Sequence, residues 1–199
     1  MPVDTRETAT DAHRHLRSDD RLAALIDHHG YLVLRPADDP FRRLVKAIAR
    51  QQVSMASAAA TWERLTDAFA VTPAGMQSAD PAALQDVGLS SAKSEYVKAA
   101  AEAFEEQKWG RAAFANQSDE AVIEELTEIR GIGPWTAKMF LQFGLGRKDV
   151  FPVEDLGIRK SMQRQYGIEG RAAMRERAAE WAPYRSVGSL YLWRAGDEE

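Results

Sequence analysis

Residues 126–137, Leu-Thr-Glu-Ile-Arg-Gly-Ile-Gly-Pro-Trp-Thr-Ala, constrain the fold of this chain more than any other stretch. One helix ends with Leu126 and Ile129, and Gly131-Ile132-Gly133 turns the chain. Pro134 then opens a second helix at its first position, where a missing N–H costs nothing. Glycines at 131 and 133 free the backbone for positive φ and leave no side chain over the turn. The amides of the turn and of the new helix N-terminus then point outward, where a phosphate can accept them. An ordinary corner between two helices fits the same residues.

Elsewhere the chain reads almost entirely as helix. Phe41, Leu44, Val45 and Ile48 fall at i, i+3, i+4 and i+7 within 39–52, and 19–29 is likewise amphipathic. Helices are expected over 54–69, 91–107, 118–128, 134–145, 155–166, 171–181 and 184–194, with a short one opened by Asp80-Pro81 and closed by Gly88. Only 31–35 looks extended, and one strand alone makes no sheet. The fold class is all-α.

Composition narrows the chemistry. The 199 residues include no cysteine, which removes disulfides, thiolate metal sites, thiol catalysis and cysteine-ligated iron–sulfur clusters. The polar first thirty residues and the lack of a long apolar run point to a cytoplasmic protein with no membrane partner. Net charge is −4, but it is uneven: +1 over 1–50, −7 over 51–126, +3 over 127–165 and −1 over 166–199. The basic 127–165 stretch leaves room for a local nucleic-acid footprint. The four histidines all lie within 13–29 and read as surface residues, so no catalytic metal is expected. Trp62, Trp109 and Trp181 read as core.

The 126–137 segment resembles the helix-hairpin-helix of the base-excision DNA glycosylase superfamily that pairs a Gly/Pro-rich loop with a catalytic aspartate (HhH-GPD). Further stretches are similar to its alkylated-base, 3-methyladenine branch: Asp20–Asp27, Pro40–Ser54, Gly88–Lys93 before Tyr96, Asp149–Gly157, Trp181–Ser186 and Tyr191–Trp193. They run in order over nearly all of 19–195, and the β-domain that precedes this region in some bacterial members has no room here.

The resemblance implies two helical lobes with an active-site cleft between them. Residues 37–150 would form a helical barrel ending in the hairpin, and 1–36 with 151–199 the second lobe. It gives the catalytic position to Asp155, with Glu154 as near rival. Local sequence alone reads Asp155 equally well as a helix N-cap, at the end of a helix whose dipole stabilises negative charge. An aspartate beneath the sugar can stabilise the cation that develops as an N-glycosidic bond breaks. An N-alkylated purine is already cationic, so a dedicated general acid is dispensable. Trp135 stands where bifunctional relatives carry the Schiff-base lysine, and Lys138 does not match that position. The resemblance therefore implies no AP-lyase activity, with Trp135 stacking on a flipped base and Trp193 as a second pocket aromatic.

It also implies DNA contacts from Gln51 and Gln52 in a minor-groove loop, with Gln52 filling the gap left by the flipped nucleotide. Gly131, Gly133 and the Thr136 hydroxyl would hold a phosphate. No cofactor is expected beyond a structural monovalent cation on the backbone carbonyls of Thr127, Ile129 and Gly131. The expectation is a monomeric, monofunctional glycosylase that excises 3-methyladenine-like purines from damaged double-stranded DNA. The alternatives are a same-fold glycosylase for neutral lesions such as hypoxanthine or uracil, or a non-catalytic DNA-binding module.

Overall fold

The computed structural model describes residues 3–6 and 10–196. Its helices are α1 (Asp11–Leu16), α2 (Asp20–His29), α3 (Pro40–Arg50), α4 (Met55–Ala68), α5 (Pro73–Ser78), α6 (Pro81–Asp86), α7 (Ser91–Glu106), α8 (Asp119–Thr127), α9 (Pro134–Met139), α10 (Leu156–Tyr166), α11 (Arg171–Ala179) and α12 (Arg185–Gly196). The all-α expectation holds, and no described helix is long and apolar enough to cross a membrane. The chain packs as two compact units, 1–36 with 146–199, and 37–145.

Two local expectations are corrected. The extended segment has a partner: β2 (Tyr31–Leu34) pairs antiparallel with β1 (Val3–Arg6), Val3 opposite Leu34. The helix expected over 134–145 stops being α-helical at Met139 and continues as a π-helical turn, Phe140–Leu145. Within that turn Phe140 to Gly144 are all buried, and a Cβ on Gly144 would meet the Phe140 ring at 3.0 Å.

The 37–145 unit is organised by α3. Phe41, Leu44, Val45 and Ile48 are each at most 2% exposed, as their spacing predicts, and each contributes about 1.5–3 kcal/mol on burial. Phe41 leads into an aromatic cluster in which Phe104 lies 5.1 Å from Phe41, 5.3 Å from Trp109 and 6.1 Å from Phe140. A 3₁₀ turn, Arg111–Phe114, delivers Phe114 to the same cluster, 5.3 Å from Phe140. Trp62, expected in the core, is half-exposed.

The other unit is built around α12, which packs on α10, α2 and β2. Its firmest polar node is Asp19, the N-cap of α2 and 4% exposed. The Asp19 carboxylate accepts the amides of Arg21 and Leu22, the Tyr166 hydroxyl at 3.0 Å, the Arg177 guanidinium and the Trp181 indole N–H at 2.8 Å. Burial first, and Asp19 second, raise the Tyr166 phenol well above its ordinary range. Trp181 is 1% exposed, as expected of a core residue.

His13 corrects the expectation that the histidines are surface residues, since it is 1% exposed. Its Nδ1 accepts the Thr10 amide at 3.0 Å, which leaves the ring proton on Nε2, donated to the Leu32 carbonyl at 2.9 Å. The ring also lies 4.9 Å from Tyr31.

Candidate active site

Asp155 is the N-cap of α10, where its Oδ1 accepts the Ile158 amide at 3.0 Å. The same oxygen accepts the indole N–H of Trp193, from α12, at 3.0 Å. The two local readings of Asp155 are therefore compatible: capping occupies Oδ1 and fixes the orientation of the whole carboxylate. A Cβ on Gly157 would stand 3.1 Å from Oδ1 and 3.4 Å from the Trp193 ring, so glycine lets the first turn of α10 pass this pair. Trp193, expected to be a pocket aromatic, is joined to the carboxylate itself.

The segment leading into Asp155 is pinned to the start of α12. Asp149 holds the Arg185 guanidinium through both carboxylate oxygens, at 2.7 and 2.9 Å. Burial raises the Asp149 carboxyl, but the hydrogen bonds and charge of Arg185 outweigh it and hold the group below its ordinary value. The Ser186 hydroxyl donates to the Arg147 carbonyl at 2.7 Å and accepts the Val150 amide at 2.9 Å. Asp155 and Trp193 thus hang from one braced scaffold. Glu154, the near rival, faces the Arg175 guanidinium at 3.8 Å.

The hairpin lies in the other unit. Ser118 caps α8 through the Ala121 amide, and Pro134 starts α9 after the turn. Only one of the two glycines is needed for positive φ. Gly131 has φ +85, and a Cβ there would fall 2.0 Å from Cγ of Tyr96. Gly133 has φ −99, and a Cβ there would meet nothing within 4 Å. The protein does not require glycine at 133, which leaves that face of the turn open to a ligand. Trp135 follows, half-buried, with Lys138 one turn along α9.

Gln51 and Gln52 part company. Gln52 has φ +54, in the left-handed region that favours glycine, and next to it Val53 and Met55 are 44% and 53% exposed. Gln51, expected to reach DNA, instead turns its amide inward. Its Nε2 donates to the Gly131 carbonyl at 2.9 Å and to the Thr136 hydroxyl at 3.0 Å. Thr136 is 2% exposed, so the expected hydroxyl-to-phosphate contact gives way to an internal brace. Lys93 adds a second support, donating to the Ala49 carbonyl at 2.8 Å near the end of α3. Neither brace nor the Tyr96 contact is legible in the sequence, although Lys93 and Tyr96 lie in a stretch that carries the resemblance. Among the described residues no three His, Cys, Asp or Glu side chains group as a metal site.

Comparison with known proteins gives the family and the fold. Residues 45–184, more than half of the chain, match the HhH-GPD superfamily base excision DNA repair protein family. A Bacillus subtilis (strain 168) protein is 31% identical over 186 residues, covering 87% of this chain. The chain spans 65% of that relative's length. The structure of Schizosaccharomyces pombe 3-methyladenine DNA glycosylase (Mag1) in complex with abasic DNA superposes with a TM-score of 0.85 at 28% identity, covering 94% of this chain and 97% of that one. DNA-3-methyladenine glycosidase from Bacillus halodurans gives 0.80 at 32% identity, covering 100% and 94%. The chain belongs to the HhH-GPD superfamily of base excision DNA repair proteins.

Proposed function

We propose that this protein is a DNA glycosylase that removes 3-methyladenine-like alkylated purines from damaged duplex DNA, as a cytoplasmic monomer without AP-lyase activity. The observation that carries this reading is the Asp155 carboxylate, fixed through Oδ1 by the Ile158 amide and the Trp193 indole. In support, the S. pombe neighbour is bound to abasic DNA, the product that base removal leaves.

In the proposed reaction the damaged nucleotide leaves the stack and its base lies against Trp135. The bond between the base nitrogen and C1′ breaks, and the electron pair leaves with the base, neutralising its positive charge. Asp155 stabilises the cation that develops on the sugar, a group set in place before the reaction begins. A water oxygen bonds to C1′ and releases a proton. The Gly131 and Gly133 amides hold a phosphate, and Gln52 occupies the gap in the duplex. With tryptophan at 135, no amine attacks the sugar from that position.

The resemblance further implies a monovalent cation at the hairpin. The Ile129 carbonyl accepts the Ile132 amide and the Gly131 carbonyl accepts Gln51, yet each oxygen keeps a second lone pair. Neutral oxygens of this kind suit such an ion, which with Thr127 would stiffen the turn.

Base release from oligonucleotides carrying one defined lesion each tests the reading. Alkylated purines are expected to be released by the parent, and Asp155→Asn is expected to lower the rate by on the order of 10²-fold with DNA binding retained. Release confined to hypoxanthine or uracil would overturn the alkylpurine assignment. A borohydride-trapped covalent complex would overturn the absence of lyase activity.

A further inference from the structure

Between Pro40 and Trp62 the chain has four cations, Arg42, Arg43, Lys46 and Arg50, and no acidic residue, although its net charge is −4. All four lie on α3, and Arg42, Lys46 and Arg50 follow at i, i+4 and i+8, along one side of the helix. Arg42 and Lys46 both lie over the Trp62 ring, at 5.3 and 5.2 Å from its centroid. The indole thus holds two like charges side by side. Among the described residues neither of the two has a carboxylate within ion-pair distance.

Arg43 sharpens the point. It is 7% exposed and stacked on Phe143 at 4.5 Å, and its Nε has no hydrogen-bond partner. Burial, and then Arg50, lower its guanidinium to about 10. Lys46 is lowered as well, first by burial and then by Arg43, Arg50 and Arg42. Burying Arg43 and Lys46 beside one another is costly, so a surface that concentrates such charges is suited to an anion brought from outside.

We propose that the Arg42–Lys46–Arg50 stripe, backed by Arg43 and Trp62, is a second phosphate-backbone contact, holding a strand of the duplex beyond the Gln52 loop. This rests on the glycosylase reading above. The stripe spans about 12 Å of helix axis, enough for two or three phosphates. It runs without interruption into the loop that carries Gln52. Such contacts carry no sequence information, as suits an enzyme that searches undamaged DNA for rare lesions.

The test is the salt dependence of affinity for an undamaged duplex, measured for the parent, Arg42→Gln/Lys46→Gln, Arg42→Gln alone and Arg171→Gln. Two lost phosphate contacts are expected to make the log–log slope shallower by about 1.8, and the single variant by about half of that. Removing the same charge at exposed Arg171, on α11, is expected to leave the slope at the parent's value. A double variant with the parental slope overturns the proposal, as does lost affinity without a change of slope. An equal change in Arg171→Gln overturns it too, by showing a general charge effect. A parent with no affinity for duplex DNA overturns the glycosylase reading along with the stripe.

Discussion

The indole N–H of Trp193 donates to Oδ1 of Asp155 at 3.0 Å, tying the last turns of α12 to the N-cap of α10. The same oxygen caps the helix, so one atom serves both the fold and the orientation of the carboxylate.

Trp193→Phe keeps an aromatic ring and removes only the donor. A hydrogen bond to a charged group is worth about 1.5–3 kcal/mol, and each 1.4 kcal/mol is tenfold in rate. Excision by Trp193→Phe under single-turnover conditions is expected to be about tenfold slower, with the melting temperature lowered by only a few degrees and the fold retained. An unchanged rate would show that the indole does not position Asp155.

The two hairpin glycines separate fold from binding. Gly131→Ala forces a Cβ onto Tyr96 at positive φ, so a loss of stability of about 2 kcal/mol or more is expected in thermal melts. Gly133→Ala meets nothing in the protein and is expected to melt like the parent while binding damaged and undamaged duplexes less tightly. Unchanged duplex affinity in Gly133→Ala would mean that no phosphate approaches the turn there.

Asp19 is a structural carboxylate, far from surface screening. Asp19→Asn removes the buried partner of Arg177, which is partly exposed and keeps Glu180, and gives the Tyr166 and Trp181 donors a neutral acceptor in place of a charged one, at a cost of about 1.5–3 kcal/mol. Chemical denaturation is expected to show a loss of that order. A loss below about 1 kcal/mol would mean that the hydroxyl and indole donors carry the node without the ion pair.

His13 links stability to acidity. Burial lowers its folded value below 6.5, with the Leu32 hydrogen bond opposing and Arg17 assisting. The unfolded chain therefore takes up the proton first. Its contribution is fully present above about 6.5 and is lost as pH falls below that, by at most about 1.4 kcal/mol per pH unit. His13→Gln is expected to flatten the stability profile between pH 7 and 5, and a profile parallel to the parent's would discount the residue.

What the sequence revealed was what neighbouring residues decide. Ser118, Gly131 and Pro134 act on their own turn, so the hairpin was readable, as was the α3 stripe of Phe41, Leu44, Val45 and Ile48. The missed features depend on distant partners. β2 finds β1 across α1 and α2, and His13 is buried by Leu32 and Tyr191, which lie 19 or more residues away in sequence. α1 and α5 have six residues each, too few for a periodicity to register. The roles expected of Gln51 and Thr136 were redirected by a contact across 85 residues of chain.

That contact makes the hairpin a poor transplant. Its carbonyl at Gly131 and its hydroxyl at Thr136 are held by an amide contributed from the end of α3, and Tyr96 of α7 fills the space under the turn. A fragment cut to the two helices and their loop would keep every residue of the motif and lose its mould. Portability ends where α3 and α7 are left behind, so a graft of this element into another protein must carry both helices with it.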